Sequence, residues 1–257
     1  MWRQGSTASV IATASLALML VGSCSTEGDE RAPASSAPAA SSPADDVQTL
    51  ASADCPDLAC EGPLEPGRYL ADYFDPTIGF EIATPGWQWM FSGGTFGLRA
   101  DDFHNGLLYS SDGIYFLRDP AIAAQDCEEA PEPGVGRSAN ELAAWLEAAP
   151  GLAASGSTPV SVGGLDGVRI DLRLDPGWER TCPFTEPLPA VPLVFRGADV
   201  GGYHWVLVPD QRMRWYILDT GDGVIVVDIE DAPAGAPRDE LLQTGDQIVH
   251  TLAFSQP

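Results

Sequence analysis

RMRWYILDTGDGVIVVDIE, residues 212–230, is the stretch on which the fold reading turns. Two apolar runs, WYIL and VIVV, flank the pentapeptide DTGDG. Asp and Gly tolerate the backbone angles of tight turns, and short carboxylates bond their own backbone there, so the pattern predicts a β-hairpin. Strand-like text continues on both sides. VRIDLRL at 168–174 alternates apolar Val168, Ile170, Leu172 and Leu174 with Arg169, Asp171 and Arg173, which predicts a strand with one wet face. PGRYLADYF, TIGFEIATPGW and YHWVLV read as further strands, and GLLYSSDGIYFLRD as a second hairpin through Ser-Asp-Gly. Helices are predicted twice. In SANELAAWLEAAPG, Ser138 and Glu141 have capping-box spacing, Leu142, Trp145 and Leu146 share a face, and Pro150-Gly151 ends the run. In PRDELLQTGDQIVHTLAF, Leu241, Leu242, Ile248, Val249 and Leu252 recur at helical spacing. Many antiparallel strands with one central and one C-terminal helix indicate an α+β domain, an antiparallel sheet packed by two helices.

The charge balance excludes some partners. The 257 residues carry 37 acids against 13 basic residues, all of them Arg, for a net charge of -24. A field of that sign repels nucleic acid and anionic lipid head groups. Solubility and self-repulsion account for the charge; a cationic ligand or Ca²⁺ is the other use it suggests.

The first residues concern location. MWRQ is followed by roughly fourteen apolar or small residues, short of the ~20 needed to span a membrane but right for a signal peptide. The run stops at V-G-S-C, which resembles the bacterial lipobox, where cleavage precedes a cysteine that takes a diacylglycerol. Residues 1–23 are then a signal peptide and Cys24 the lipidated N-terminus, with two or more acyl chains giving a stable membrane anchor. Of five cysteines, this leaves Cys55, Cys60, Cys127 and Cys182, which should pair outside the cytoplasm. Three pairings are possible; Cys55 with Cys60 closes a natural local loop, leaving Cys127 for Cys182. No CxxC occurs and no His stands near these four, so a metal site is not indicated. From Ser25 the chain is rich in Ala, Ser and Pro and nearly free of large apolar residues, as a flexible tether is. The expected organisation is a signal peptide at 1–23, tether at 24–61 and a single folded domain at 62–257.

The order of lipobox, Ala/Ser/Pro tether, PTIGFEIATPGW, a capped helix ending in PGL, TPVSVGGLDG, a hairpin and a closing helix with TLAF resembles the extracytoplasmic lipoproteins of high-GC Gram-positive bacteria. It is similar in element order to the PsbP-like fold of the LpqN type, over about 66–254. The resemblance implies that fold and a non-enzymatic role, and it transfers no active site. The Pro-rich CPFTEPLPAVPLVFRGADVGG, 182–202, departs from it.

Chemistry has few candidates. ILDTGDG resembles the apolar-apolar-Asp-Thr-Gly setting of aspartic proteases, where two aspartates share a proton, and it makes Asp219 the candidate catalytic residue. Asp222 stands where Ser, Thr or Ala is usual, and no second Asp-Ser/Thr-Gly occurs, so such an enzyme would need a homodimer. The plainer reading is a hairpin turn. His104, His204 and His250 form no HxH or HExxH pair, and there is no nucleophile elbow, P-loop or GxGxxG, so no nucleotide or other cofactor is indicated. Trp87 and Trp89, two apart, Tyr203 and Trp205, likewise, and Trp215 could form a stacking wall for a small ligand, or plain core. Arg169, Arg173, Arg212 and Arg214 suit cross-strand ion pairs or an anion clamp. The expectation is a lipid-anchored extracytoplasmic protein with a binding or accessory role, its partner a small molecule or an envelope protein. The alternatives are a hydrolase, through Asp219 or without a motif, and a structural or assembly protein.

Overall fold

A computed structural model describes residues 46–50, 59–72, 74–92, 95–100, 112–195, 204–231 and 239–255. In chain order the elements are β1 (Val47–Leu50), β2 (Ala59–Leu64), β3 (Gly67–Ala71), β4 (Thr77–Ile82), β5 (Trp87–Ser92), β6 (Thr95–Ala100), β7 (Gly113–Arg118), β8 (Ala121–Ile122), α1 (Ala139–Ala148), β9 (Leu152–Ala154), β10 (Thr158–Val162), β11 (Leu165–Leu174), β12 (Val191–Phe195), β13 (His204–Leu207), β14 (Arg212–Asp219), β15 (Val224–Asp231), α2 (Asp239–Val249) and β16 (Ala253–Ser255).

The opening hairpin forms as predicted and sits mid-sheet. β14 and β15 pair from Arg212↔Asp231 to Asp219↔Val224. They belong to a nine-stranded sheet ordered β10-β11-β14-β15-β7-β6-β5-β2, with β9 also on β11. All eight residues of β15 are buried, because both faces of this sheet are covered. On one face Tyr216, Leu218, Ile225, Val227 and Ile229 meet Tyr69, Ile78, Phe80 and Ile82 of a four-stranded sheet, β1-β3-β4-β16, together with Leu241, Leu242, Ile248 and Val249 of α2. On the other, Trp215, Ile217, Val224 and Val226 meet Leu142, Ala143 and Leu146 of α1 and Val191, Leu193, Val194 and Trp205 of a three-stranded sheet, β13-β12-β8.

This corrects the expected fold class. Strands hold 52% of the described residues and helices 12%, so the molecule is mostly β and is not a PsbP-like α+β sheet packed by two helices. Each face of the large sheet is covered by a smaller sheet and one helix. The covering strands were hard to read because they are short or broken by proline. β12 lies in the Pro-rich stretch read as an excursion, and its register shifts between Pro192 and Val194, the irregularity a strand proline requires. β16 lies in the TLAF text assigned to the second helix; α2 ends at Val249, and Ala253–Ser255 pairs with β4 instead. Both edges of β7 are taken, by β6 and β15, so it is not one arm of an isolated hairpin; residues 106–111, its expected partner, lie outside the described residues. β1 and the first three residues of β2 fall within the 24–61 stretch assigned to the tether, and β1 runs parallel to β3.

Local signals fared better. Ser138 and Glu141 form the capping box, and Leu142 and Leu146 are buried. Cys127 is bonded to Cys182, with 5.5 Å between Cα atoms. Cys60 is also disulfide-bonded; Cys24 and Cys55 lie outside the described residues.

Candidate functional site

Asp219 ends β14, and the turn after it closes with a hydrogen bond from Thr220 N–H to the Gly223 carbonyl at 2.9 Å. The Asp219 Oδ1 accepts the Ala139 N–H at 2.8 Å, in the first turn of α1. A carboxylate there fills one of the free donors of a helix start and meets its positive dipole end. The Asp-Thr-Gly text therefore joins the hairpin to α1.

The aromatic wall is not assembled as a single surface. Trp87 is buried in the core shared with the four-stranded sheet, and Trp89 packs on its margin. Trp205 and Trp215 are buried in the core on the opposite face of the large sheet. Trp87 and Trp89 do share a strand face, as their spacing implied, but the topology separates them from the other pair. Tyr203 and His104 lie outside the described residues. His250 sits in the turn after α2, where Nδ1 hydrogen-bonds the Asp246 carbonyl.

Two of the four arginines make the cross-strand pairs. Arg214 donates through Nε to Asp171, its register partner on β11, at 2.6 Å, and through a second nitrogen to Asp246 of α2 at 2.5 Å. Asp246 also accepts the Tyr216 hydroxyl at 2.7 Å. The bond from Arg214 is the first cause holding the Asp171 carboxyl below its usual range. Arg212 pairs with Asp231 directly opposite on β15.

Asp228 escaped the sequence reading. It points into the core between the large and three-stranded sheets and is fully buried. Its Oδ2 accepts the Trp205 Nε1–H at 2.7 Å. Among the described residues Oδ1 has no hydrogen-bond partner, and the Trp215 Nε1–H, opposite on β14, draws the pKa down without reaching hydrogen-bonding geometry. Removal from water dominates and pushes the carboxyl up to about 7. Two residues on, buried Glu230 accepts from Gln211 Nε2. The available signal was an Asp and a Glu alternating inside VIVVDIED, a run too apolar for a half-wet strand.

A cavity of ≈ 170 Å³ opens beside the Asp219 junction. Its apolar floor is Ile122, Leu142 and Val224, with Val135 beside them, and its polar rim is Asp119, Glu132 and Arg137. Asp119 Oδ1 accepts the Val224 N–H at 2.9 Å, and Glu132 Oε2 accepts the Gln125 N–H at 2.8 Å. Just outside, Arg118 faces three carboxylates, Asp75 at 2.7 Å and Asp119 and Asp222 at 3.7 Å each, so the surroundings stay net negative.

Comparison with family models, curated proteins and solved structures finds no match for this chain. Nothing in these comparisons identifies an LpqN-type or PsbP-like lipoprotein. Among the described residues no group of three His, Cys, Asp or Glu side chains is placed to hold a metal ion. Nor is any described helix long and apolar enough to cross a membrane.

Proposed function

We propose that this chain is a lipid-anchored extracytoplasmic protein with a non-catalytic binding or accessory role at the cell envelope. The anchor rests on the apolar run that ends in Val21-Gly22-Ser23-Cys24, and on the cysteine parity that leaves Cys24 over. The Cys127–Cys182 bond supports an oxidising compartment. The observation that carries the non-catalytic side is the Asp219 carboxylate: in the one protease-like motif it accepts the Ala139 N–H and fastens a turn to a helix. Its partner is a small molecule or another envelope protein.

Two measurements test the reading. The intact mass of membrane-extracted protein should be that of a chain starting at Cys24 with acyl additions, and Cys24→Ser should release the protein into the soluble fraction. An unmodified soluble product from the wild-type chain would refute the anchor. Asp219→Asn keeps an oxygen for the Ala139 N–H and removes the charge. If the purified chain hydrolyses peptides, and Asp219→Asn abolishes this while the fold survives, the non-catalytic reading falls.

A further inference from the structure

The cavity beside α1 goes beyond a generic binding role and, resting on that role, narrows the ligand. Its ≈ 170 Å³ lies below the roughly 300–1,000 Å³ of drug-sized sites and suits a body the size of one aliphatic side chain. The walls are held from several directions. Ile122 and Glu132 are tied by the Glu132 N–H to the Ile122 carbonyl, 2.7 Å. Leu142 is fixed by the α1 capping box, which requires a glycine at 136, since a Cβ there would collide with the Glu141 side chain. The Asp119 N–H donates to the Val224 carbonyl while the Asp119 side-chain Oδ1 accepts the Val224 N–H, and a Cβ on Gly223 would strike the Asp119 carboxylate.

The rim supplies the chemistry. Asp119 Oδ2 lies 3.7 Å from Arg118 Nε, beyond hydrogen-bonding distance, and Arg118 is already shared with Asp75 and Asp222. Glu132 Oε2 takes one backbone N–H, and Oε1 accepts no hydrogen bond among the described residues. Two carboxylates with oxygens to spare over an apolar floor offer acceptors to an ammonium group whose hydrocarbon fills the floor. Among the described residues no aromatic ring lines the cavity, which argues against a quaternary ammonium that needs a cage. We infer that the cavity formed by Ile122, Val135, Leu142 and Val224 binds a small aliphatic molecule bearing a primary ammonium, received by Asp119 and Glu132. Arg137, on the same rim, decides between its two sources, a plain amine and an amino acid whose carboxylate pairs with the guanidinium.

Calorimetric titration of the detergent-solubilised full chain with isoamylamine, L-leucine, L-leucinamide and isocaproate tests this. The amine-bearing compounds should bind and isocaproate, with the same hydrocarbon but a carboxylate head, should not. Asp119→Asn and Glu132→Gln keep acceptors for Val224 and Gln125 while losing charge, and each should weaken binding about tenfold, the loss of one charge-assisted hydrogen bond. If leucine binds more tightly than leucinamide, and Arg137→Gln erases the difference, the ligand is an amino acid; equal binding identifies an amine. Isocaproate binding as well as isoamylamine, failure of all four, or indifference to both carboxylate changes would overturn the inference. If all four fail while another small molecule raises the melting temperature, the binding role stands and only this assignment falls.

Discussion

A buried carboxyl without a cation is the least ordinary residue in this core. Asp228 is fully enclosed, takes one indole N–H and is pushed up to about 7 by desolvation. Because the folded state holds this proton more tightly than the unfolded chain, the group's contribution to stability is greatest at low pH. It falls as pH rises from about 4 to about 7 and is flat above that. One proton sets the slope, about 1.4 kcal/mol per pH unit within the window. Asp228→Asn brings a pH-independent cost for its buried amide and removes the slope. Urea unfolding at pH 4.5, 6 and 8 should therefore show the variant gaining on the wild type as pH rises. Parallel curves for the two proteins would show that the carboxyl does not stay protonated in the fold. The sequence displayed this Asp in an apolar run but not its burial. Whether this strand face is covered depends on the three-stranded sheet, whose members lie between 21 and 107 residues before Asp228 in the chain.

Elements are tied to one another by side chains that local pattern partly revealed. The alternation in β11 placed Arg169, Asp171 and Arg173 on a wet face, but α2 lies over part of that face and lowers Asp246 onto Arg214 and Tyr216. Arg214 is thereby neutralised from its own sheet by Asp171 and from the helix by Asp246, and its side chain is only 15% exposed. Asp246→Ala strips one bond from the largely buried Arg214 guanidinium and the acceptor from the hydroxyl of the buried Tyr216. The expected cost is roughly 1–3 kcal/mol, read as a lower urea midpoint with unchanged slope. Asp246→Asn, which keeps an acceptor for Tyr216, should lose less. Equal losses for the two variants would mean that charge, and not the hydroxyl bond, joins α2 to the sheet. The capping box of α1 was legible because Ser138 and Glu141 act within one turn. Asp219 at the start of the same helix was not, since 80 residues separate it from Ala139.

At the scale of the molecule, the large sheet is held between two unequal covers, and the less regular one depends on a crosslink. β8 and β12 of the three-stranded sheet are short, and β12 carries Pro192 and a register shift. The Cys127–Cys182 bond joins the segment after β8 to the segment before β12, across a sequence separation of 55. The pairing was readable from cysteine arithmetic; the cover it secures was not, because short proline-broken strands lack the alternation that marks β14 and β15. A loop of that size limits the unfolded chain by up to about 4 kcal/mol. Replacing both cysteines by serine should lower stability by about 2–4 kcal/mol, with the loss concentrated in this cover. Trp205 lies in β13 with its indole on Asp228, so its fluorescence should report loosening there before circular dichroism registers loss of the large sheet. Coincident fluorescence and dichroism transitions in the double variant would show instead that the three-stranded sheet unfolds with the whole domain, and that the crosslink acts on global stability alone.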